Sequence, residues 1–394
     1  MRFSVDAHAI GQHLTGNETY VRNLLNCYAD LDDDSDFIAY LSRRSAFESV
    51  PRRFEKSLVA ENPFVRLGFD LPRKLRQDRP DLLHVQYTAP VGCSVPIVVS
   101  VHDISFLEHP EYFTRFRALQ LRLTVRQTVR AAARVLTVSE FSKQGIIRAY
   151  GLEEDKVVVM PNAASSSFRP LPREGSRRWA HARFGFSFPF VLTVGDLQPR
   201  KNHLKLIRGF EDILRAEPKL PHHLVLVGKE TWYSPTVRSA AAKSAVSSRI
   251  HFTNFVEDEE LIKLYAACDL FVYPSLYEGF GLPILEAMAA GTPVLCSRLT
   301  SVPEVAGNAA LYIDQFSLDE FAERLLALAT DGDLRRRLIE AGRQRAQKFR
   351  WEETARRTAE VYAAVVAQPA PDALLRRRMI GALTSLDWGA PPRP

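Results

Sequence analysis

Short apolar runs alternate along most of the chain with longer segments in which apolar residues recur every three or four positions. The short runs predict buried strands, and the longer segments predict helices, among them residues 20–31, 113–133 and 351–366. Strands that alternate with helices form parallel sheets, so the pattern predicts an α/β protein. The predicted strands are residues 2–7, 37–41, 82–86, 97–101, 135–138 and 157–160 in the first half and 190–194, 223–227, 250–253, 270–273, 293–296 and 310–313 in the second.

A break in this alternation divides the chain. Residues 161–170, with the sequence PNAASSSFRP, carry no periodic apolar pattern and are typical of a linker. We therefore predict a first doubly wound domain over residues 1–165 and a second one over residues 166–355, facing each other across a cleft. Residues 356–394 are predicted to hold the end of a last helix and a Pro- and Arg-rich tail.

The most informative stretch is residues 269–296, DLFVYPSLYEGFGLPILEAMAAGTPVLC. It predicts a buried strand, a loop with two glycines, a helix that begins near Pro283, and a second strand. Free N–H groups at the start of such a helix favour an anion, and the glycines let the backbone approach it closely. Glu278 and Glu286 stand beside this site, where they can accept hydrogen bonds from hydroxyl groups. A sugar attached to a nucleoside diphosphate combines both chemistries.

This run resembles the E-x7-E motif of the retaining glycosyltransferases of family 4, which have the two-domain GT-B fold. The resemblance implies that Glu286 holds the ribose hydroxyls and that Glu278 contacts the donor sugar as a catalytic residue. It also implies that the backbone of Phe280, Gly281 and Leu282 meets the donor diphosphate. That the last helix crosses back to the first domain is likewise implied only by this resemblance. An ordinary turn between strand and helix, with two solvated acids, is the alternative interpretation.

A second candidate segment follows the predicted strand 190–194. Arg200 and Lys201 lie directly before a predicted helix that Asn202 can cap, so their charges add to the positive end of its dipole. Arginine can donate two hydrogen bonds to a phosphate, and lysine adds a compact charge. The segment G-D-L-Q-P-R-K-N resembles the family's diphosphate-binding segment, with Asp196 where threonine or arginine is common. A pair of solvated surface cations is the alternative.

Two further candidates lie in the first half. His102 and Asp103 end a predicted strand, at the edge where parallel sheets carry catalytic groups. Their segment resembles the family's H-D-x6-P segment, in which the histidine faces the donor sugar. Gly16 follows the first strand and resembles the family's phosphate-contacting glycine loop, although Glu18 replaces its second glycine. A capped histidine and a plain turn glycine are the alternatives.

Composition and charge narrow the class of protein. The chain has 394 residues, of which 46% are hydrophobic and 25% charged, as in soluble globular proteins. It shows neither a spanning run of about 20 apolar residues nor the apolar core of a signal peptide, so we expect a cytoplasmic location. Its four cysteines have no metal spacing, and the acidic run 32–36 is interpreted as a solvated turn. The resemblance also implies that side-chain cations replace a metal, so we expect no metal and no cofactor besides the substrate.

The net charge of +6 admits an acidic partner. Four arginines recur every fourth residue and predict one stripe on the second helix of the first half: Arg122, Arg126, Arg130 and Arg134. A solvated face is the favoured interpretation, and peripheral contact with an anionic membrane or a pyrophosphate-bearing acceptor is the sharper one. Nucleic acid is disfavoured, because no stacking aromatics are interleaved with these arginines.

The combined prediction is a retaining transferase that moves a sugar from GDP-mannose or a UDP-sugar to a glycan or lipid-linked acceptor, in bacterial surface polysaccharide assembly. Mannose is the first candidate because the P-R-K-N and T-G-N-x-T-Y segments resemble bacterial mannosyltransferases. A nucleotide-sugar epimerase of the same fold and a catalytically silent sugar-nucleotide sensor are the alternatives. Loss of the Glu278 carboxylate is expected to lower turnover and to leave diphosphate binding nearly unchanged. Loss of the Glu286 carboxylate should weaken both diphosphate and donor.

Overall fold

Each half of the chain forms a parallel sheet in the computed structural model, which describes residues 1–12, 15–31, 35–314 and 317–367. The α/β architecture predicted from the apolar pattern is therefore confirmed. The strands of the first sheet are β1 (Arg2–Asp6), β2 (Asp36–Leu41), β3 (Glu55–Leu58), β4 (Leu82–Gln86), β5 (Ile97–Ser100), β6 (Arg134–Thr137) and β7 (Val157–Val159). Those of the second are β8 (Phe190–Val194), β9 (His223–Val227), β10 (Ile250–Asn254), β11 (Leu270–Tyr273), β12 (Val294–Ser297) and β13 (Leu311–Ile313).

Helices cover both faces of each sheet. In the first half they are α1 (Thr15–Ala29), α2 (Pro63–Val65), α3 (Leu71–Asp78), α4 (Ser105–Glu108), α5 (Arg115–Ala131) and α6 (Glu140–Tyr150). In the second half they are α7 (Arg173–Phe184), α8 (His203–Ala216), α9 (Ser234–Lys243), α10 (Asp258–Ala267), α11 (Leu282–Ala290), α12 (Val302–Ala306), α13 (Leu318–Thr330), α14 (Gly332–Ala346) and α15 (Trp351–Ala367). None of the described helices is long and apolar enough to cross a membrane.

The central strands are buried on both faces, which explains why they read as continuous apolar runs. Every residue of β4 and β11 is buried, for example. Each sheet accordingly packs two hydrophobic clusters, one on either side. Burial on both faces leaves the strand ends and the loops beyond them as the places where polar side chains can gather.

The strand order creates a crevice in each sheet. The first sheet has the order β3-β2-β1-β4-β5-β6-β7 and the second has β10-β9-β8-β11-β12-β13. In each sheet the chain adds strands outward in one direction from β1 or β8, and then outward in the opposite direction from β4 or β11. The strand order therefore reverses between β1 and β4 and between β8 and β11. Ligands of doubly wound sheets bind beyond the carboxyl ends of such strands. The loops that follow β8 and β11 carry Arg200, Lys201 and Glu278.

The last helix, α15, packs against the first sheet rather than the second. It contacts α1 along its length, and the Thr354 hydroxyl donates to the Pro161 carbonyl at 2.6 Å. The hydroxyl of Tyr362, which is fully buried, lies 2.5 Å from Nδ1 of His84 in β4. The chain therefore leaves the second sheet and ends its described part on the first, which ties the two halves together.

Some local predictions were wrong or lie outside the described residues. Strand β3 was not predicted, because its sequence EKSL lies at the sheet edge and has no fully buried residue. The predicted arginine stripe ends at Arg130, since Arg134 begins β6 and is half-buried. Most of the acidic run, residues 32–34, and the predicted tail from residue 368 onwards lie outside the described part.

Candidate functional site

A cleft of about 410 Å³ lies between the carboxyl ends of the two sheets. The structure brings all the site residues predicted from the sequence to its walls: Gly16, His102, Arg200, Lys201, Glu278, Phe280, Gly281, Leu282 and Glu286. They come from loops and helix starts in both halves of the chain, separated by up to 270 positions between Gly16 and Glu286. The fold therefore brings the residues that were predicted for the site together in one cleft.

The centre of the cleft is a buried cluster of one acid and two cations. Glu278 accepts from Nη1 of Arg200 at 2.8 Å and from Nζ of Lys201 at 2.7 Å, one carboxylate oxygen for each. Lys201 also donates to the hydroxyl of Tyr273 at 2.8 Å, the last residue of β11. The sequence did not predict this pairing. Glu278 therefore pairs with the same two cations that were expected to bind a diphosphate.

Arg200 and Lys201 together determine whether Glu278 is ionised. Burial alone would raise the pKa of Glu278, but Arg200 and then Lys201 outweigh it and lower that pKa to about 2. Burial tends to lower the pKa of Arg200, whereas Glu278 and Asp103 raise it above its usual range. Glu278 and Arg200 are therefore charged at neutral pH, whereas burial, ahead of the opposing charge of Glu278, lowers the pKa of Lys201. An anion that enters the cleft meets two buried basic side chains that share one hydrogen-bonded carboxylate, while Asp103 and Asp196 act on them from a greater distance.

The loop before α11 supplies backbone donors beside this cluster. Gly281 caps the helix with a φ of +107°, a left-handed conformation that favours glycine. The Phe280 side chain packs in the core against Phe349, and the backbone of Phe280 faces the cleft. Within the described residues, the N–H groups of Phe280, Gly281 and Leu282 have no hydrogen-bond acceptor. Unsatisfied N–H groups at a helix start form a site for an anion.

Glu286 lies one turn inside α11 and differs sharply from Glu278. Its carboxylate accepts from the Tyr265 hydroxyl at 3.1 Å and faces no cation at hydrogen-bond distance among the described residues. Burial, followed by the charge of Asp258, raises the pKa of Glu286 to about 8. At neutral pH Glu278 is therefore ionised, whereas Glu286 is mostly protonated and uncharged.

His102 stands on the first-domain side of the cleft as a neutral imidazole. Burial lowers its pKa to about 4, although Asp103 acts in the opposite direction. The amide of Gln86 donates to the Asn17 carbonyl, so its oxygen faces Nε2 of His102, at 2.9 Å. The imidazole therefore carries its proton on Nε2. Its Nδ1 is an acceptor that has no partner within the described residues.

Gly16 and Asp196 face each other near the mouth of the cleft. Gly16 lies at the start of α1, and a side chain there would meet open space, so no packing constraint requires glycine. The neighbouring Thr15 donates to Asp196 at 3.5 Å across the cleft. Asp196 also accepts from the Lys229 N–H at 3.3 Å. Asn202, predicted to cap α8, instead donates its side-chain N–H to the Pro274 carbonyl at 3.2 Å.

The two halves touch directly at the loop that carries Glu278. The Ser139 hydroxyl, which caps α6, donates to the Gly279 carbonyl at 2.7 Å. The Ser142 hydroxyl bridges the carbonyls of His102 and Gly279, at 3.0 and 3.3 Å. A Cβ placed on Gly279 would lie 2.2 Å from the His102 carbonyl oxygen. Position 279 therefore requires glycine for this close approach between domains.

Gly279→Ala is expected to part the two domains, because the added Cβ would overlap the His102 carbonyl oxygen. Overpacking costs about 1–3 kcal/mol, so the melting temperature should fall and small-angle scattering should show a larger radius of gyration. Gly175→Ala in α7 is the matched control, since nothing lies within 4 Å of the Cβ it would add. An unchanged radius and melting temperature for Gly279→Ala would contradict the contact.

Sequence analysis missed several residues that line the cleft. Tyr273 was assigned only to a buried strand, yet its hydroxyl contacts Lys201. Tyr87 follows β4 with a φ of +60°, a left-handed backbone rare for an aromatic residue, and its ring lies near His102. Arg117 of α5 lines the same wall. No local pattern marks any of them, because each is placed in the cleft by tertiary contacts alone.

No group of three or more His, Cys, Asp or Glu side chains in the described parts of the chain is arranged to hold a metal ion. The acids of the cleft are instead engaged with side chains: Glu278 with two cations and Glu286 with a tyrosine.

Comparisons with known proteins agree with this architecture. A family described as Glycosyltransferase Family 4 matches residues 14–167, and one described as Glycosyl transferases group 1 matches residues 183–345. O-antigen chain mannosyltransferase B of Escherichia coli is 34% identical over 271 residues, which are 67% of this chain and 69% of that protein. The serotype-specific mannosyltransferase WbdA of Escherichia coli is 30% identical over 56% of this chain, but this match spans only 27% of WbdA.

Solved structures show the same fold at lower identity. HepE from Anabaena, crystallised with UDP and glucose, is 20% identical with a TM-score of 0.72 and covers 92% of this chain and 99% of that one. Sucrose-phosphate synthase from Thermosynechococcus elongatus is 17% identical with a TM-score of 0.73, covering 93% and 99%. The family matches, the relative at 34% identity and the shared two-sheet architecture show that the chain belongs to the glycosyltransferases of the GT-B fold.

Proposed function

We propose that the protein transfers a hexose, with mannose as the first candidate, from a nucleoside-diphosphate sugar with retention of the anomeric configuration. The observation that carries this proposal is the Glu278 carboxylate between Arg200 and Lys201, beside the free N–H groups that precede α11. Two desolvated cations and a helix start suit a diphosphate leaving group. Once the diphosphate binds the two cations, the Glu278 carboxylate can accept a hydrogen bond from a sugar hydroxyl.

In the proposed reaction the bond between the anomeric carbon and the diphosphate oxygen breaks as the acceptor oxygen attacks from the same face. Arg200, Lys201 and the α11 start stabilise the negative charge that grows on the diphosphate. The leaving oxygen takes the acceptor proton, as in the same-face mechanism attributed to the family. This chain needs no metal for that step, because its own cations balance the charge. Neutral His102 faces the donor sugar, and its unpartnered Nδ1 can accept a hydroxyl hydrogen bond.

The donor and acceptor assignments rest on relatives. O-antigen chain mannosyltransferase B and the serotype-specific mannosyltransferase WbdA support mannose, and the first of them supports bacterial surface polysaccharide. HepE with UDP and glucose supports a nucleotide-sugar donor without choosing the base. We therefore propose GDP-mannose ahead of a UDP-sugar and a glycan or lipid-linked acceptor. The same proposal places the enzyme in the cytoplasm, at the inner face of the membrane.

A thermal-shift screen of nucleoside diphosphates tests the donor. A ligand at about 100 times its dissociation constant stabilises the protein by about 2.7 kcal/mol. We expect GDP to raise the melting temperature most. A larger shift with UDP would reassign the base, and no shift with any nucleoside diphosphate would contradict the proposal.

GDP binding should strengthen as the pH rises from about 7 to about 9. Glu286, proposed to accept from the ribose hydroxyls, has a pKa of about 8 in the unliganded protein, so its binding-competent ionised form grows with pH. With a pKa of about 8, affinity should improve about tenfold over this range, because about a tenth of the groups are ionised at the lower pH. The terminal phosphate, which ionises near pH 6, is already charged there.

Calorimetry in buffers of different ionisation enthalpy measures both the affinity and the proton released on binding. Glu286→Gln should bind GDP more weakly than the wild type above the pKa, with little dependence on pH over the same range. A pH dependence that persists unchanged in Glu286→Gln would assign the proton to another group and remove the ribose role.

A further inference from the structure

One face of the first domain exposes large apolar side chains that the protein fold does not use. Phe116, Leu119 and Leu123 on α5 are 56–70% exposed. Their spacing of three and four residues places them on one side of the helix, whereas Leu121, Val125 and other buried residues occupy the opposite side. The helix is therefore held by its inner face. The outer apolar row must be explained by something outside the domain.

A second exposed apolar group lies in the segment that packs on the other side of α5. Phe64 and Phe69, on α2 and the π-helical turn after it, are 66% and 77% exposed, and Val91 is 73% exposed. The Val91 N–H donates to the Leu67 carbonyl at 2.9 Å, which joins the members of this group. The Ala89 N–H donates to the hydroxyl of Thr128, on the buried side of α5, also at 2.9 Å. We call the exposed row of Phe116, Leu119 and Leu123 the apolar face.

Positive charge flanks the apolar face. Helix α5 contains five arginines and no acidic residue. Arg115, Arg122 and Arg126 are exposed along one side of the apolar row, and none forms an ion pair within the described residues. The electrostatic partner of this surface must therefore be anionic.

We infer that the apolar face docks the protein onto an anionic lipid bilayer, an inference that rests on the proposed function only for its consequence for the acceptor. Aromatic and leucine side chains that project between arginines match the acyl region and the anionic headgroups of a bilayer. A second copy of the chain fits less well, because an isologous contact would bring the same arginines face to face.

The position of the apolar face connects the bilayer to the cleft. Arg117 and Leu121 of α5 line the cleft, as does Tyr87, which immediately precedes the loop against α5. The docked protein thus keeps the first-domain wall of the cleft close to the lipid headgroups. A saccharide carried on a lipid then lies about one helix width, about 10 Å, from that wall, so we expect a lipid-linked acceptor to be used in preference to a free glycan.

Flotation with vesicles of phosphatidylcholine and phosphatidylglycerol in equal parts tests the inference. We expect the wild type to float, less so at high salt because screening weakens the arginine contribution. The triple substitution Phe116→Ser, Leu119→Ser and Leu123→Ser should reduce the bound fraction about tenfold or more at either salt concentration, as expected for lost apolar insertion. Trp232→Ser, which removes a side chain 54% exposed on the second domain, should float like the wild type.

The companion variant Arg122→Ser with Arg126→Ser should float weakly and lose the salt dependence. Unchanged flotation of the triple variant, or no flotation of the wild type at low salt, overturns the inference. Loss of self-association by the triple variant in sedimentation, without vesicle binding by the wild type, would assign the face to a second copy instead. GDP calorimetry on the same samples separates the proposals, because a triple variant that binds GDP normally but does not float affects docking alone.

Discussion

Glu278→Gln is expected to bind GDP more tightly than the wild type while losing most of its donor turnover. The wild-type carboxylate lies 2.8 Å from Arg200 and 2.7 Å from Lys201, so an incoming diphosphate must share these cations with an existing negative charge. Removing that charge should improve GDP affinity about tenfold, which is about 1.4 kcal/mol. Turnover should fall about 100-fold or more, as when a preorganised group beside the reacting centre is removed.

The same substitution should destabilise the unliganded protein. Arg200 and Lys201 would remain buried side by side without their carboxylate, and breaking a buried ion pair costs about 3–5 kcal/mol at most. Saturating GDP should recover more of the melting temperature in Glu278→Gln than in the wild type. Glu174→Gln is the control, because Glu174 forms an exposed helix pair with Arg178. Weaker GDP binding by Glu278→Gln, with normal turnover at saturation, would reverse the assigned roles.

Arg200→Ala and Lys201→Ala are each expected to weaken GDP binding by about 10- to 100-fold. Each change removes a charge-assisted hydrogen bond, worth about 1.5–3 kcal/mol. Either loss leaves Glu278 with a single cation, but the Lys201 side chain is 9% exposed and also donates to Tyr273, whereas that of Arg200 is 21% exposed, so Lys201→Ala should unfold more easily than Arg200→Ala. Calorimetric titration with GDP and thermal unfolding separate the two effects.

Arg178→Ala serves as the control for a lost surface cation, since the Arg178 side chain is 72% exposed and, among the residues that the structure describes, pairs with Glu174 alone, at 2.7 Å. It should match the wild type in both measurements. Wild-type GDP affinity in both Arg200→Ala and Lys201→Ala would remove the diphosphate from this end of the cleft. Glu278 would then hold the two cations for structural reasons alone.

The sequence predicted the central elements of the fold because burial on both faces makes their signal strong. The strands that become β4 and β11 are continuous apolar runs between turn residues, and both are present. Strand β3 gave no such signal, since an edge strand with the sequence EKSL needs few apolar residues to pair with β2. Its pairing is visible only once the neighbouring strand is in place.

The residues named from the sequence all line one cleft, but the contacts among them were not predicted. The resemblance directed Arg200, Lys201 and Glu278 to one ligand, and the fold places all three in one cleft. Arg200 and Lys201 pair with Glu278 because the loops that carry them follow β8 and β11, which are neighbours in the sheet. No local sequence pattern indicates that these two strands are adjacent. The earlier expectation of unchanged diphosphate binding in Glu278→Gln is revised for this reason.

The arginine pattern shows a similar limit. Periodicity identified the exposed side of α5 from Arg122, Arg126 and Arg130, but it assigned no role to Leu119 and Leu123. An apolar residue in a helix is ordinarily buried, so its exposure is recognised only when the packing is known. Because these leucines are exposed beside the arginines, this side of α5 is an amphipathic surface.

Proton NMR of GDP-mannose incubated with the protein tests the central claim most directly and needs no identified acceptor, because water can replace the acceptor slowly. The account predicts release of GDP with α-mannose as the first anomer formed, at a rate that Glu278→Gln lowers about 100-fold. First appearance of β-mannose would contradict retention. Conversion of the sugar within an intact nucleotide, with no GDP released, would contradict glycosyl transfer and identify an epimerase.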